Sequence, residues 1–201
     1  MNRKRYILSQ YNKLREVYYS EPKKLAKATA VKNKDIPKEI EDYILLALNF
    51  FPELKDTPIR FKIKKSLFYM ESKPIVPFIF SKQRKYQINM NYRFKNLTST
   101  LSPESVAALI SHELAHVVDY EEMSVLDLIE FAIKYPFPRF RKQIELSNDI
   151  RCFCHGIGEY MLKYLKETRG SKRVSKAVKK YRYKYYLREE EVKGLLSNEI
   201  C

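Results

Sequence analysis

The chain has 201 residues, of which 45% are hydrophobic and 13% aromatic, so it can bury the core of one compact domain. Its formal net charge of +15 is typical of proteins that meet an anionic partner, such as nucleic acid or an acidic surface. Only four glycines are present, without a Gly-rich phosphate loop, which argues against nucleotide-dependent chemistry. The longest apolar run is far shorter than the roughly 20 residues that a membrane span needs.

The first part of the chain is predicted to be helical. Residues 5–19 read as a helix rich in tyrosine and charge, and residues 20–36 as a basic connection or short helix. An amphipathic helix is predicted from Pro37, and Pro52 ends it. Its apolar face consists of Ile40, Tyr43, Ile44, Ala47, Leu48 and Phe51.

A small antiparallel sheet is predicted next. Apolar and charged residues alternate over 59–63, and a proline-broken apolar piece covers 68–80. The clearest strand is 86–94, where one face is apolar and the other polar.

Helices are predicted over most of the remaining chain. Ser102 supplies a cap hydroxyl, Pro103 suits the first helical position, and Glu104 places an acid in the first turn. The predicted helices cover residues 103–120, 123–134, 139–168 and 189–196. The order of helix, sheet and helices predicts an α+β fold.

The distribution of charge divides the chain into three predicted segments. Residues 1–36 form a basic N-terminal helical segment, 37–170 the main domain, and 171–201 a basic C-terminal helical extension. Residues 171–187 hold seven basic and no acidic side chains, whereas residues 103–150 carry nine acids and four bases. The locally acidic centre indicates that phosphate binding is not the central chemistry.

A histidine pair marks the candidate site. His112 and His116 fall about 40° apart on one face of the predicted helix, so both imidazoles can bind one zinc ion (Zn2+). Glu113 is adjacent in sequence and can reach a water on that metal. These are two of only three histidines in the chain. The alternative interpretation is a helix with one core histidine and one surface histidine.

A third ligand is expected on another helix, because a catalytic zinc normally has three protein ligands and one open position. Glu145 and Asp149 are one turn apart and can face the same direction. One carboxylate can bind the metal while the other hydrogen-bonds a ligand imidazole. The alternative is an acidic helix N-terminus exposed to solvent. Gly156 lies on the same stripe and is expected to let two helices approach closely.

His-Glu-x-x-His followed on a later helix by Glu-x-x-x-Asp resembles the gluzincin superfamily of zinc metallopeptidases. The resemblance is strongest to the group of CAAX-prenyl-protease-like peptidases and their small soluble relatives, and it covers little more than a tenth of the chain. It implies a zincin-like fold, with a small antiparallel sheet against the active-site helix and a following long helix. The residues it implies are His112, His116 and Glu145 as zinc ligands, Glu113 as general base, and Asp149 as the partner of a ligand histidine.

The same resemblance implies an edge strand beside the zinc helix that holds the substrate backbone, and 86–94 is the candidate. The sequence departs from the family at Asn148, where a small or Thr-like residue is common. It also has none of the membrane helices of the prenyl proteases, so their lipidated substrates are not expected here. SprT-like proteases use a third histidine, but His155 lies about 80° from the Glu145 stripe.

The expected function is zinc-dependent hydrolysis of peptide bonds in a polypeptide substrate. The donor that stabilises the oxyanion is open among Tyr120, Tyr160 and His155. The alternatives are a nucleic-acid-binding protein that uses its basic tail and a non-catalytic zinc-binding module. The stretch 179–186 interleaves cations with aromatic rings, so it either binds nucleic acid or packs as an amphipathic helix.

The cysteines predict a reducing compartment, because their number is odd and Cys152 and Cys154 are too close to join distant segments. No signal peptide is expected at the basic N-terminus, so a cytoplasmic location is predicted. Cys154 points about 180° from Glu145 on a helical wheel, so both cysteines are expected to be buried and inert. Asp119 faces the ligand side and is expected to form a salt bridge or to orient a neighbouring element.

Overall fold

The structure is a computed structural model, which describes residues 2–19, 36–65, 69–92 and 98–197. The α-helices in these ranges are α1 Arg3–Tyr19, α2 Lys38–Leu48, α3 Pro103–Glu122, α4 Val125–Lys134, α5 Pro138–Cys152, α6 Gly158–Gly170, α7 Lys176–Tyr185 and α8 Glu189–Leu196. The strands are β1 Ile59–Lys64, β2 Met70–Pro74 and β3 Tyr86–Asn91. The predicted α+β class is confirmed. The predicted connection 20–36 and the end of the predicted strand 86–94 lie largely outside the described residues.

The three strands form a mixed sheet in the order β1-β3-β2, so the predicted antiparallel sheet is wrong. β2 turns back into β3 through residues 75–85, and these two strands are antiparallel. β3 then inserts between β1 and β2, which run in opposite directions, and it is therefore parallel to β1. Alternation along one strand predicts that strand but carries no information about its neighbours.

The central helix is α3, and its start follows the predicted signals. Ser102 accepts a hydrogen bond from the Ser105 backbone N–H at 3.3 Å, and Pro103 is the first helical residue. α3 packs against α2, α5, α6 and β2, so its side chains are buried on almost all sides. The helix that carries the histidine pair is therefore a core element.

The predicted helix 139–168 is not continuous. α5 ends at Cys152, and a π-helical turn, Phe153–Ile157, precedes α6. Gly156 has a φ of 87° in this turn, a conformation that glycine adopts without the steric penalty of a Cβ. The prediction that Gly156 allows a close helix contact is wrong, because this residue is exposed and redirects the chain. Close packing occurs instead at Gly158, where a Cβ would lie 2.6 Å from the Phe153 ring.

Both ends of the described chain pack on the same core. Ile7 of α1 and Val192 of α8 are buried with the side chains of α3 and β3. Arg3 Nε lies 2.5 Å from Glu191 Oε1, which joins α1 to α8. Within the described ranges, no helix has both the length and the apolar composition needed to cross a membrane.

Candidate metal centre

The histidine pair of α3 meets Glu145 of α5. His112 and His116 are both buried, and their ring centroids are 5.0 Å apart. Glu145 Oε2 lies 2.9 Å from His112 Nε2 and 3.6 Å from His116 Nε2. One donor atom from each of the three residues lies within 4.8 Å of the other two. The three side chains predicted as metal ligands are therefore brought together at one point.

Asp149 lies on the opposite side of the His112 ring from Glu145. Its Oδ1 is 2.8 Å from His112 Nδ1, and its Oδ2 accepts a hydrogen bond from the Leu187 backbone N–H at 2.7 Å. The two carboxylates one turn apart on α5 thus face different nitrogens of one imidazole. Glu145 faces the histidine nitrogens that are predicted to bind the metal, whereas Asp149 fixes the orientation of the His112 ring.

Asn148 makes the equivalent contact with the second histidine. Its Nδ2 lies 2.7 Å from His116 Nδ1, and its Oδ1 is buried without a partner among the described residues. A half-turn of the amide brings Oδ1 to His116 instead, where it accepts a hydrogen bond from Nδ1–H. In the sequence, Asn148 stands out only as a departure from the family pattern. The available signal was its position three residues after Glu145, on the same helix face.

Tyr135 is a further contact of Glu145 that the sequence did not indicate. Its hydroxyl donates to Glu145 Oε1, which leaves Oε2 facing the histidines. Tyr135 lies in the turn between α4 and α5, where no helical periodicity relates it to the site. Only the folded chain brings it there.

Burial and hydrogen bonding set the protonation of the cluster. Burial of the His112 ring opposes protonation, but its hydrogen bonds to Asp149 and Glu145 outweigh burial and raise its pKa to about 10. Burial also opposes ionisation of Glu145, but hydrogen bonds from His112 and His116 hold its pKa well below the usual value. The hydrogen bond between them thus favours a protonated ring at His112 and an ionised carboxylate at Glu145.

Glu113 lines the same cavity but belongs to none of these hydrogen-bonded pairs. It is buried, and burial raises its pKa, while the charges of His116 and His112 oppose the shift in part. A carboxyl group in such surroundings holds a proton more readily than one in water.

The cluster forms part of the wall of a cavity of about 590 Å³. Residues 69–73, which include most of β2, line one side, and side chains of α7 line another. The candidate edge strand 86–94 was the wrong one, because β3 is paired on both sides and β2 is the edge strand next to α3. β2 was hidden in the proline-broken piece of the sequence.

The predicted oxyanion donors differ in position. Tyr120 lines the cavity, and its hydroxyl donates to the Ser72 carbonyl oxygen at 3.4 Å. Tyr160 packs edge-on against Phe50 and is not among the lining residues. His155 is also absent from the lining, because it stacks on Phe51 at 4.4 Å and its Nε2 lies 2.6 Å from Glu53 Oε1.

The C-terminal extension supplies cavity residues that the sequence did not assign to the site. Tyr181, Arg182 and Tyr186 line the cavity, and the Tyr186 ring centroid lies 5.0 Å from that of His112. Tyr185 is buried, whereas Tyr183 is 60% exposed. Packing of the aromatic stretch against the domain therefore accounts for most of its tyrosines.

The remaining predicted features lie outside the donor cluster. Asp119 forms a salt bridge with Arg151 at 2.8 Å, one of the two roles expected for it. Within the described residues, Cys152 and Cys154 are buried and form no disulfide, and burial raises the pKa of the Cys152 thiol well above its usual value. Neither cysteine belongs to the His112, His116 and Glu145 group.

No protein-family model, curated protein or solved structure matches this chain. What the cluster does chemically must therefore be inferred from its own geometry.

Proposed function

We propose that the protein is a zinc-dependent metallopeptidase of the gluzincin type, with a zincin-like fold. The observation that carries the proposal is the convergence of three donor atoms from α3 and α5 on the wall of an open cavity that Glu113 also lines. Two histidines and one glutamate are a donor set typical of catalytic zinc in peptidases. The resemblance of the motif to gluzincins supports the same assignment.

The residues fit a zinc ion in spacing and in chemistry. Tetrahedral zinc with bonds of about 2.0–2.1 Å places its ligand atoms about 3.3 Å apart. The two distances from Glu145 Oε2 to the histidine nitrogens, 2.9 and 3.6 Å, lie on either side of that value. Each ligand histidine also has a polar partner at Nδ1, which leaves Nε2 for the metal.

Glu113 is the proposed general base. A zinc ion bound by His112, His116 and Glu145 would polarise the substrate carbonyl and lower the pKa of its water to about 7. Glu113 accepts the proton of the attacking water and transfers it to the leaving amine. Its burial limits competing contacts with bulk solvent.

The polypeptide substrate is proposed to lie along β2. This strand is at the edge of the described sheet, next to α3, and contributes to the cavity wall. An extended peptide can add to such an edge through main-chain hydrogen bonds. The buried cysteines, which form no disulfide within the described residues, also support our proposal that the protein works in a reducing compartment such as the cytoplasm.

Metal analysis combined with a cleavage assay tests the proposal. The wild-type protein should contain about one zinc ion per chain and cleave a labelled unfolded protein. His112→Ala should lose the zinc, whereas Glu113→Gln should keep the zinc and lose cleavage by a factor of at least 100. Glu130→Gln, at an exposed position on α4, is the matched control and should behave like wild type.

Two outcomes contradict the proposal. If the protein binds zinc but shows no cleavage that depends on Glu113, it is a non-catalytic zinc-binding module. Wild-type protein that contains no zinc after purification in metal-replete buffer contradicts the metal centre itself.

A further inference from the structure

Arg182 of α7 lies on the cavity wall close to the donor cluster. Its guanidinium carbon is 4.5 Å from the centroid of the Tyr164 ring and 4.7 Å from that of Tyr186. The Tyr186 ring in turn lies 5.0 Å from His112. Stacking on two rings holds the planar guanidinium in a defined orientation.

Most of the hydrogen-bonding capacity of Arg182 is not used by described residues. Nη1 donates to the Tyr164 hydroxyl at 3.1 Å, but Nε is buried without a partner in the described part of the chain. No described carboxylate lies within ion-pair distance of Arg182, whereas the buried Arg151 pairs with Asp119. Asp149 borders the same small void as Arg182, yet its oxygens face His112 and Leu187.

The charge of the surrounding cavity favours an anion. Lys73, Arg141 and Arg182 are the lysine and arginine residues among the described lining. Glu71 is paired with Lys64 at 2.9 Å. Glu113 and Glu145 face the proposed dication, so their charges are offset there. A cation with unused donors in such a cavity suits a carboxylate that arrives with the substrate.

We propose that Arg182 binds a carboxylate group of the peptide substrate and so determines specificity for acidic peptides or free C-termini. This inference rests on the proposed peptidase function and names its substrate class. The carboxylate comes either from an Asp or Glu side chain or from the C-terminus, and both present the same pair of oxygens to a guanidinium.

Peptide binding to the zinc-loaded Glu113→Gln protein tests the inference without cleavage. Three fluorescent peptides are compared that differ only in one side chain and in the C-terminal group. One has a Glu side chain and an amidated C-terminus, one has Gln and a free C-terminus, and one has Gln and an amidated C-terminus. We expect one of the two carboxylate peptides to bind at least about tenfold more tightly than the neutral peptide, and the peptide that gains affinity identifies the source.

Variants at Arg182 then assign that difference to one side chain. In the same background, Arg182→Gln should bind acidic and neutral peptides with equal affinity. Arg182→Lys keeps the charge without the planar fork and should retain part of the preference. Arg169→Gln removes an arginine that is 79% exposed and should keep the full preference. Circular dichroism and zinc content show whether each variant is folded and loaded.

Equal binding of all three peptides to the Glu113→Gln protein that retains Arg182 overturns the inference. A preference that survives Arg182→Gln in folded, zinc-loaded protein also overturns it. The proposed peptidase function fails separately. If the carboxylate preference depends on Arg182 but the wild type cleaves none of the peptides, the subsite stands and the peptidase assignment is wrong. If the wild type cleaves all three at equal rates, the peptidase assignment stands and the subsite does not.

Discussion

Leu187 donates its backbone N–H to Asp149 at 2.7 Å, across 38 positions of sequence. The same carboxylate holds His112 Nδ1 through its other oxygen. A backbone group in the C-terminal extension therefore helps to orient a proposed zinc ligand on α3. The extension is part of the site as well as a source of positive charge.

Removing that backbone donor should weaken metal binding. Leu187→Pro deletes the N–H and leaves Asp149 with one partner, so we expect a roughly tenfold or greater loss of zinc affinity. The measurement is competition with a chromogenic chelator. Leu187→Ala is the matched control, because it keeps the N–H and loses only the buried side chain. Equal zinc affinity in the two variants contradicts the role of the hydrogen bond.

Asn148 should matter for zinc affinity as an acceptor for His116. Asn148→Ala removes the acceptor, and we expect zinc affinity to fall by a factor of about 10–100. Asn148→Asp supplies a permanent acceptor at the same place and should bind zinc at least as tightly as the wild type. The check is the same chelator competition, with the melting temperature of each apoprotein as a fold control. Unchanged affinity in Asn148→Ala shows that His116 needs no partner.

Gly156 should resist substitution because of its backbone conformation. An alanine at a φ of 87° costs about 1–2 kcal/mol, so Gly156→Ala should lower the free energy of unfolding by that amount. Urea denaturation measures this change. Gly170→Ala is the control, because its added Cβ would meet no described residue within 4 Å beyond its chain neighbours and its own helix backbone. A Gly156→Ala protein as stable as Gly170→Ala contradicts the predicted strain.

The contact between Glu53 and His155 predicts a pH dependence of stability. Burial would raise the pKa of Glu53, but the hydrogen bond and charge of His155 outweigh burial and lower it. Because the folded pKa lies below the unfolded value of about 4.3, this stabilisation is present above that value. It is lost as the pH falls through the folded pKa.

The measurement is the unfolding free energy of wild type and Glu53→Gln between pH 3 and pH 6. The wild type should be more stable by about 1 kcal/mol at pH 6, and the difference should shrink steadily as the pH falls. Glu130→Gln serves as the control, since Glu130 forms an exposed pair with Lys134 and should give little difference at any pH. A gap between wild type and Glu53→Gln that widens on acidification has the wrong sign for this mechanism.

Local signals predicted much of the fold and the donor cluster. The cap at Ser102 and the proline that follows set the start of α3, and four-residue spacing placed His112 and His116 on one face. Helical spacing also placed Glu145 and Asp149 on one face of a later helix, and the resemblance to gluzincins implied Glu145 as the ligand. These features depend on residues within one or two turns of each other, which is the range over which sequence periodicity is informative.

Features that depend on distant parts of the chain were not predictable from such patterns. The insertion of β3 between β1 and β2 decides which strand is at the edge, and no residue within β3 encodes it. Tyr186 and Leu187 reach His112 and Asp149 only because α7 packs on α5. The sequence singled out Gly156, but a glycine suits both close packing and a positive φ. The sequence therefore could not show which of these two roles Gly156 has.

The π-helical turn at Phe153–Ile157 also has a consequence for evolution of the molecule. It separates α5, which carries Glu145, Asn148 and Asp149, from α6, so insertions or deletions beyond the turn change the length of α6 without rotating these three side chains. A mutation that straightened the turn would instead change the direction of α6 and of the helices after it relative to the cluster. Because Tyr186 and Leu187 follow α6 and reach the cluster, lineages of this protein should conserve the lengths of both helices, α5 for its own three side chains and α6 for the extension that it carries.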